Sequence, residues 1–524
     1  MKIRRLKIHD IDYKPLMKGV DLFFPKSDDD FIHANCLIGI NGSGKSQILE
    51  LLAEIFLFLD ALFRLENKKE KEVSPFAFKI EYEVTINKVK HLVIIECDKI
   101  GTKKKDIFID ILKDNDSSYV FDILEFKSFL PQKVIGYTSG DNETLSLPFD
   151  LYYDEYAKYT GERALKKEFK NAKDYEPMLY FMNYNTNLGI AISSLIFEDN
   201  IETISVLKKE LRIKNLVSFK ITIQTNQPNA PFYNHKGDGG IKLTKELEIW
   251  KEKLIKCCPK AVQDESDIKH KRWILEYNLD DKNIIKLFKY HFNSALELYT
   301  ALYKFELLNN LIIKDDIVRK IKTDRKERRL VTRMPMVPEE DKVLRYSELK
   351  LRLTNDNVLD YLSLSDGEHQ FLNVFGTVLM IDLDNSLFLL DEPETHFNPT
   401  WRRTFISILK QITKGRKQDM FITSHSPFVI SDSKNENVFI FTRNADKILI
   451  TEPTQETYGA SFDEILKMAF DIKIPISEDS LSLIKELENS DDVDYIEKRI
   501  KELGESYELT SLHRKIEFLK SIQN

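Results

Sequence analysis

The stretch Gly39-Ile-Asn-Gly-Ser-Gly-Lys-Ser46 decides the fold of this chain, because it matches the phosphate-binding pattern G-x-x-x-x-G-K-S in full. The backbone N–H groups of such a loop close on phosphates, Lys45 reaches the terminal phosphates, and the Ser46 hydroxyl can ligate Mg²⁺. An apolar run at 36–40 predicts a buried strand before the loop, and apolar residues at helical spacing follow it. Because a helix N-terminus favours anions, this order predicts a triphosphate site. Its expected contacts are Asn41, Gly42, Ser43, Gly44, Lys45, Ser46 and Gln47.

Composition excludes several classes of protein. Of the 524 residues, 42% are hydrophobic and 31% are charged, which is typical of a globular protein with a sizeable core. No apolar run reaches the roughly 18 residues of a membrane-spanning helix, so we expect a cytoplasmic protein without a membrane partner. The net charge of −7 argues against general coating of nucleic acid, although a local basic patch remains compatible with it. The four cysteines lack metal-ligand spacing.

A second part of a nucleotide site lies in the far half of the chain. Residues 386–390 are mostly large and apolar, which predicts a central parallel strand, and Asp391-Glu392-Pro393 follows at its end. Asp391 is expected to hold Mg²⁺ and Glu392 to polarise the attacking water. An isolated Asp-Glu pair would as readily be a solvated strand end, so this interpretation depends on Lys45 and Ser46.

His425 follows the next apolar strand, residues 420–424. At a strand end it can hydrogen-bond a γ-phosphate or its water, although a lone histidine in a polar turn is usually inert.

Residues 362–370, Leu-Ser-Leu-Ser-Asp-Gly-Glu-His-Gln, predict a well-started helix. Ser365 has the position of an N-cap and Glu368 completes a capping box. As a functional element, Ser365 with the N–H groups of Asp366 and Gly367 forms a second anion site, which a monomeric P-loop protein does not need for its own nucleotide.

This constellation resembles the ABC-type ATPases, whose signature motif precedes Walker B as Leu364-Ser-Asp-Gly-Glu368 does here. The resemblance implies an ATP- and Mg²⁺-dependent enzyme in which two heads dimerise head to tail. It implies that Lys45 and Ser46 bind phosphate and metal, Asp391 binds the metal, Glu392 is the general base and His425 the switch histidine. Ser365, Asp366 and Gly367 then act on the nucleotide of the other chain.

Within that superfamily, Asp391-Glu-Pro-Glu-Thr-His-Phe-Asn-Pro399 and Thr423-Ser-His-Ser-Pro427 resemble the branch that contains RecF, the SMC proteins and the overcoming-lysogenization-defect ATPases. Residues 396–399 are then the D-loop. Val134-Ile-Gly-Tyr-Thr-Ser-Gly140 and Tyr458-Gly-Ala-Ser461 resemble, more narrowly, restriction-system-associated ATPases that include the PtuA subunit of Septu anti-phage systems, some of which accompany retrons.

The predicted fold class is α/β, with an ABC-ATPase head made of a P-loop parallel sheet and an antiparallel β lobe. About 345 residues separate the two phosphate-site motifs, so an insertion lies between them. We predict an N-terminal ATPase lobe at 1–150, a mostly helical insertion at 151–340, a C-terminal ATPase lobe at 341–475 and a short helical tail at 476–524.

Two features stay open at the sequence level. Transporter-type heads carry a glutamine that contacts Mg²⁺ and the attacking water, where this chain has Thr-Ser-Gly-Asp-Asn at 138–142. Ser139 or Asn142 is a candidate replacement for that glutamine. The favoured alternative is that both are simply turn residues. A basic cluster is either a solvated surface or a phosphate-backbone contact. It comprises Arg319, Lys320, Lys322, Arg325, Lys326, Arg328, Arg329 and Arg333.

The leading hypothesis is therefore an ATPase subunit of an anti-phage complex, with no nuclease domain evident in its own sequence. It dimerises around ATP, or forms a larger assembly, and restrains or loads a separately encoded nuclease of the HNH type. Nucleic acid and a retron reverse transcriptase with its noncoding DNA are further candidate partners. A RecF-like repair ATPase that clamps DNA is the alternative.

Overall fold

Three β-sheets organise the described part of the chain. The computed structural model describes residues 1–25, 34–64, 73–113, 117–118, 125–140, 143–166, 174–182, 187–197, 201–225, 240–263, 272–326, 334–444 and 447–523. The strands, in chain order, are β1 (Lys2–Asp10), β2 (Asp21–Phe23), β3 (Asn35–Gly39), β4 (Ala77–Ile86), β5 (Val89–Cys97), β6 (Phe108–Lys113), β7 (Ser117–Ser118), β8 (Lys133–Thr138), β9 (Leu179–Met182), β10 (Ile213–Gln224), β11 (Lys260–Gln263), β12 (Arg272–Asn278), β13 (Leu344–Leu353), β14 (Val358–Asp360), β15 (Ser386–Asp391), β16 (Asp419–Ser424), β17 (Val438–Asn444) and β18 (Lys447–Thr451).

The helices alternate with these strands. They are α1 (Lys45–Arg64), α2 (Glu143–Leu165), α3 (Asn187–Ile196), α4 (Ile201–Leu211), α5 (Lys245–Lys256), α6 (Lys282–His291), α7 (Ala295–Leu307), α8 (Asp315–Lys326), α9 (Asp366–Met380), α10 (Pro399–Ile412), α11 (Pro427–Ser431), α12 (Phe462–Phe470), α13 (Glu478–Asn489), α14 (Val493–Arg499) and α15 (Tyr507–Gln523). No described helix is both long enough and apolar enough to cross a bilayer.

The central sheet has the strand order β18-β17-β3-β16-β15-β8-β9. All of its neighbours are parallel except the β17–β18 pair. Every residue of β3, β15 and β16 is buried, as expected for strands covered on both faces. Because parallel strands end at one edge, this order places the ends of β3, β16, β15 and β8 side by side.

An antiparallel sheet of order β2-β1-β4-β5-β6-β7 forms the β lobe. Apolar and polar residues alternate along β4 and β5, so every second side chain faces the interior. The pairing of the two strands is continuous from Phe78 opposite Cys97 to Ile86 opposite Val89. The predicted fold class, with a parallel P-loop sheet and an antiparallel lobe, is confirmed.

The insertion is mostly helical, but it also contains a five-stranded antiparallel sheet that the sequence analysis did not predict. Its order is β11-β12-β10-β13-β14, so β13 and β14, which follow the insertion in sequence, complete it. Phe219 of β10 stacks on Tyr277 of β12 with ring centroids 4.6 Å apart, and Phe288 of α6 covers Tyr277 at 5.0 Å. One face of this sheet is therefore covered by α6.

Aromatic side chains join the insertion to the edge of the parallel sheet. Tyr180 of β9 stacks on Tyr303 of α7 at 4.3 Å, and the Tyr303 hydroxyl donates to the Leu179 carbonyl at 3.1 Å. Lys304, with 1% of its side chain exposed, pairs with Glu176 at 2.9 Å and Glu246 at 3.3 Å. The buried ammonium is stable here because two carboxylates face it.

The chain divides into two units, Met1–Gly459 and Ala460–Asn524. The second unit is helical, and α13, α14 and α15 enclose its own small core. That core consists of Ile484, Leu487, Ile496, Ile500, Leu512 and Ile516. The four-part division made from the sequence is finer than these two units and stays a prediction.

Candidate functional site

The glycine-rich loop connects β3 to α1 as a backbone cradle. Gly42 and Gly44 have φ values of 76° and 97°, in the left-handed region that glycine adopts without strain. A Cβ on Gly44 would lie 2.4 Å from the Ile448 side chain and 2.6 Å from that of Met17. The loop is therefore held closely against β18 and the segment before β2, with its N–H groups at the start of α1.

Lys45 is the first residue of α1 and directly follows the glycine-rich loop. Its Nζ donates to the carbonyl oxygens of Gly39 and Ile40 at 2.8 and 3.1 Å and lies 3.2 Å from Nε2 of His425. Only 5% of the side chain is exposed, and this burial lowers the pKa of the ammonium, while Glu392 and Asp391 act in the opposite direction. The geometry fits a cation that is held ready for phosphate oxygens.

Three strands and a helix supply the oxygen groups of a candidate Mg²⁺ site. The Ser46 hydroxyl donates to Oδ1 of Asp391 at 2.7 Å, so the two predicted metal ligands are in direct contact. The Thr423 hydroxyl donates to the same oxygen at 2.6 Å, and Thr138 lies 3.5 Å from Oδ2. One carboxylate with hydroxyls and open positions suits Mg²⁺, which usually keeps several waters. Among the described residues there is no group of three or more His, Cys, Asp and Glu side chains that could hold a metal.

Glu392 follows Asp391 in a left-handed conformation, with φ of 49°. Its Oε1 lies 3.2 Å from Nε2 of His425. The hydrogen bond with His425 holds the pKa of Glu392 below its ordinary value, against the effect of burial, and the charge of Lys45 adds to it. The carboxylate is therefore ionised at neutral pH and can accept a proton from water.

The predicted signature helix begins as the sequence analysis expected. Ser365 is the N-cap of α9, and its N–H donates to the Glu368 carboxylate at 2.8 Å, which confirms the capping box. Within the described ranges the hydrogen bonds of the Ser365 side chain are with Glu368, not with the P-loop. The exposed Ser365 and Asp366 thus leave a second helix N-terminus open to solvent.

The segment predicted to be the D-loop, residues 396–399, contacts both α9 and the segment after β8 within one chain. The His396 N–H donates to Oε1 of Gln370 at 3.0 Å, and the His396 ring lies 3.3 Å from the Ser139 carbonyl. A Cβ on Gly367 would lie 2.7 Å from the carbonyl oxygen of His396. The absence of a side chain at Gly367 therefore allows the D-loop to pack against the start of α9.

Some residues of this site were missed by the sequence analysis. Thr138, Thr423 and Gln370 carried no assigned role, yet they hold Asp391 or the D-loop. Thr138 and Thr423 could have been found from the sequence, because each lies at or near the carboxyl end of one of the two strands, β8 and β16, that flank β15. In the segment 138–142, where transporter-type heads carry a glutamine, the Ser139 N–H donates to the Asp391 carbonyl at 3.1 Å. Asn142 lies outside the described residues.

The predicted basic cluster is described only in part. Arg319 and Lys320 are exposed on α8, and Lys322 pairs with Glu155 at 2.9 Å. Arg328, Arg329 and Arg333 lie outside the described residues. The four cysteines, Cys36, Cys97, Cys257 and Cys258, are buried free thiols.

Similarity to known proteins agrees with this site. Residues 254–431 match the family described as "AAA domain, putative AbiEii toxin, Type IV TA system". The retron Vc95 probable ATPase of Vibrio cholerae serotype O1 biovar El Tor is 23% identical over 98% of this chain and 87% of its own length. Protein ea59 of Escherichia phage lambda is 26% identical over 125 residues, and the match spans only 24% of the length of either chain. The SMC head domain from Thermotoga maritima is a distant structural neighbour, with 10% identity, coverage of 86% of this chain and 99% of its own, and a TM-score of 0.31.

The family match and the retron relative along nearly the whole chain support an ATPase, in agreement with the geometry of the glycine-rich loop. They support ATP hydrolysis as its activity.

Proposed function

We propose that this protein is the ATPase subunit of an anti-phage defence complex, in which ATP closes two heads around a shared site and thereby controls a separately encoded nuclease. The observation that supports the defence role is the match to the retron Vc95 probable ATPase along nearly the whole chain. The proposed complex works in the cytoplasm, with the chain itself, an HNH-type nuclease and a retron reverse transcriptase with its noncoding DNA as the candidate members.

The residues of one chain divide into two half-sites. Lys45, Ser46 and Asp391 hold the phosphates and Mg²⁺, which neutralises phosphate charge, and Glu392 takes the proton of the attacking water. His425 keeps Glu392 ionised and oriented through their 3.2 Å contact. The open N-terminus of α9, with Ser365 and Gly367, is the half-site that a partner head would present to the γ-phosphate.

The general-base assignment gives the first prediction. Glu392→Gln should retain ATP binding, because Asp391 and Ser46 remain, while hydrolysis falls by at least about 100-fold as the proton acceptor is lost. ATP binding by calorimetry and phosphate release measure the two steps separately. Lys45→Ala is the matched control, and it should lose binding itself. Unchanged turnover in Glu392→Gln would refute the assignment.

A mixing experiment tests the composite site. Lys45→Ala disables the P-loop half and Ser365→Arg blocks the signature half, so each variant alone should be inactive. Mixed in equal amounts, they should recover about one quarter of the wild-type rate, because half of the two-fold dimers then contain one intact site. No recovery from two folded, dimerising variants would contradict head-to-tail sharing.

The defence role is tested in cells that express the chain together with its neighbouring reading frames. Phage plating should fall with the wild type and recover with Lys45→Ala. Normal plating in both, with salt-sensitive duplex binding by the purified chain alone, would favour the RecF-like alternative instead.

A further inference from the structure

A basic surface with one projecting aromatic ring lies on the insertion, and the ATPase chemistry does not use it. We call it the α5–α6 patch. It consists of Lys256 at the end of α5 and of Lys282, Lys286, Lys289, Tyr290 and His291 on α6.

Helix periodicity explains why the three lysines of α6 face outward together. Ile284 and Phe288 of α6 are buried, with Phe288 against Phe219 and Tyr277 of the insertion sheet. Lys282, Lys286 and Lys289 are spaced four and three residues apart, so they form a row on the opposite side of the helix. All three are exposed. Each step along this row is about 5–6 Å.

Of the acids near the patch, Asp280 and Glu297 are paired with cations outside it, whereas Asp281 and Glu252 remain beside Lys282 and Lys256. Asp280 pairs with Arg352 at 2.8 Å, Glu297 pairs with Lys253 at 3.0 Å, and Asp281 accepts the Asn283 N–H as the N-cap of α6. Within the described ranges, Lys256, Lys282 and Lys286 form no ion pair. The whole chain has a net charge of −7, so this local excess stands out from its surroundings.

The end of α5 lies close to the end of α6, since Lys253 Nζ is 5.2 Å from the centroid of the Phe292 ring, and Phe292 is the C-cap of α6. Burial lowers the pKa of His291, and the charges of Lys256 and Lys253 on α5 lower it further. The lysines at the end of α5 therefore lie close enough to α6 for their field to act on it.

Tyr290 gives the patch a second property. Its side chain is 82% exposed and makes an edge contact with the His291 ring at 5.0 Å. Unpaired bases stack on exposed aromatic rings of this kind while neighbouring lysines contact the backbone. A duplex keeps its base faces occupied and cannot use the ring in this way.

We propose that the α5–α6 patch binds single-stranded nucleic acid, with Lys256, Lys282 and Lys286 along the phosphate backbone and Tyr290 stacked on a base. This inference goes beyond the proposed ATPase function and does not depend on it.

Fluorescence anisotropy of the full chain with a labelled 20-nucleotide oligo-dT, over a range of salt concentrations, tests the proposal. Lys282→Ala/Lys286→Ala should bind at least about tenfold more weakly and should lower the slope of log K against log salt by about 1.4, or 0.7 per lost contact. The matched control is Lys467→Ala/Lys473→Ala, which removes the same charge from exposed positions of the second unit and should bind like the wild type.

Tyr290 separates the proposal from simple charge attraction. Tyr290→Ala should weaken oligo-dT binding at least about fivefold, Tyr290→Phe should retain it, and binding of a 20-base-pair duplex should be little affected by either. The proposal is overturned if the wild type does not bind oligo-dT, if the control variant loses affinity equally, or if Tyr290→Ala binds like the wild type. Retained ATP hydrolysis in all variants shows that they are folded.

Discussion

At the scale of single residues, the site depends on how Asp391 and Glu392 are held. The sequence placed both carboxylates at the end of a strand, but Thr423 of the neighbouring strand fixes their orientation. Its hydroxyl donates to Asp391 and accepts from the Glu392 N–H at 3.0 Å, and the residue is fully buried. One hydroxyl thus positions both the proposed metal ligand, Asp391, and the backbone of the proposed general base, Glu392.

Thr423→Val should therefore lower ATP hydrolysis by about 10- to 100-fold, as is usual when the partner of a metal ligand is lost. Valine has nearly the same shape, so the fold should persist while the Mg²⁺ concentration needed for half-maximal activity rises. Titration of activity with Mg²⁺ measures this effect. Thr423→Ser keeps the hydroxyl and should stay close to the wild type, and an unchanged Mg²⁺ requirement in Thr423→Val would contradict the assigned position.

At the scale of elements, local sequence determined the start of α9 well. Ser365 and Glu368 are three residues apart, and a capping box needs only that spacing. The same helix also contacts residues 396–399, about 30 residues further along the chain. This contact could not be predicted from the local sequence of either segment. Ser294 is the N-cap of α7, three residues after α6 ends at His291, so the chain forms two helices here.

The contact between α9 and the D-loop gives a prediction for Gly367→Ala. The added Cβ meets the His396 carbonyl, which is backbone and cannot rotate away, so the helix start or the D-loop must shift. We expect ATP binding by the P-loop to persist, whereas hydrolysis and ATP-dependent dimerisation fall and stability drops by about 1 kcal/mol or more.

Gly504→Ala is the matched control, because nothing lies within 4 Å of a Cβ built at that glycine. Sedimentation with and without ATP, phosphate release and thermal unfolding give the three readouts. Equal effects of the two substitutions would argue against a specific role of the Gly367 contact.

At the scale of the whole molecule, desolvated carboxyl groups make stability depend on pH. Burial raises the pKa of Glu306 to about 8, against the opposing effects of the Tyr346 hydroxyl and of Lys342, and it raises the pKa of Asp150 and Glu394 to about 7. A folded-state pKa above the unfolded value favours the protonated form in the fold. The corresponding stability is complete below about pH 4.5 and is lost as the pH rises through the folded-state values.

The melting temperature should accordingly fall between about pH 5 and pH 8, and Glu306→Gln should make that fall smaller, because the amide mimics the neutral acid. Thermal unfolding in matched buffers measures the difference. Glu252→Gln, on the exposed side of α5, is the control and should keep the wild-type pH dependence. An identical fall in Glu306→Gln and the wild type would show that Glu306 does not titrate in this range.

The sequence by itself determined the glycine-rich loop, the acidic strand end, the capped start of α9 and the α/β class, because each depends on residues within one turn, one strand or one short loop. Only the tertiary structure decided which strands stand side by side, and with that the hydroxyls of Thr138 and Thr423 around Asp391. It also decided the insertion sheet, in which β10 pairs with β13 across more than a hundred residues of chain. Such contacts follow from the packing of whole layers, and packing between distant segments leaves no periodicity in the sequence of either one.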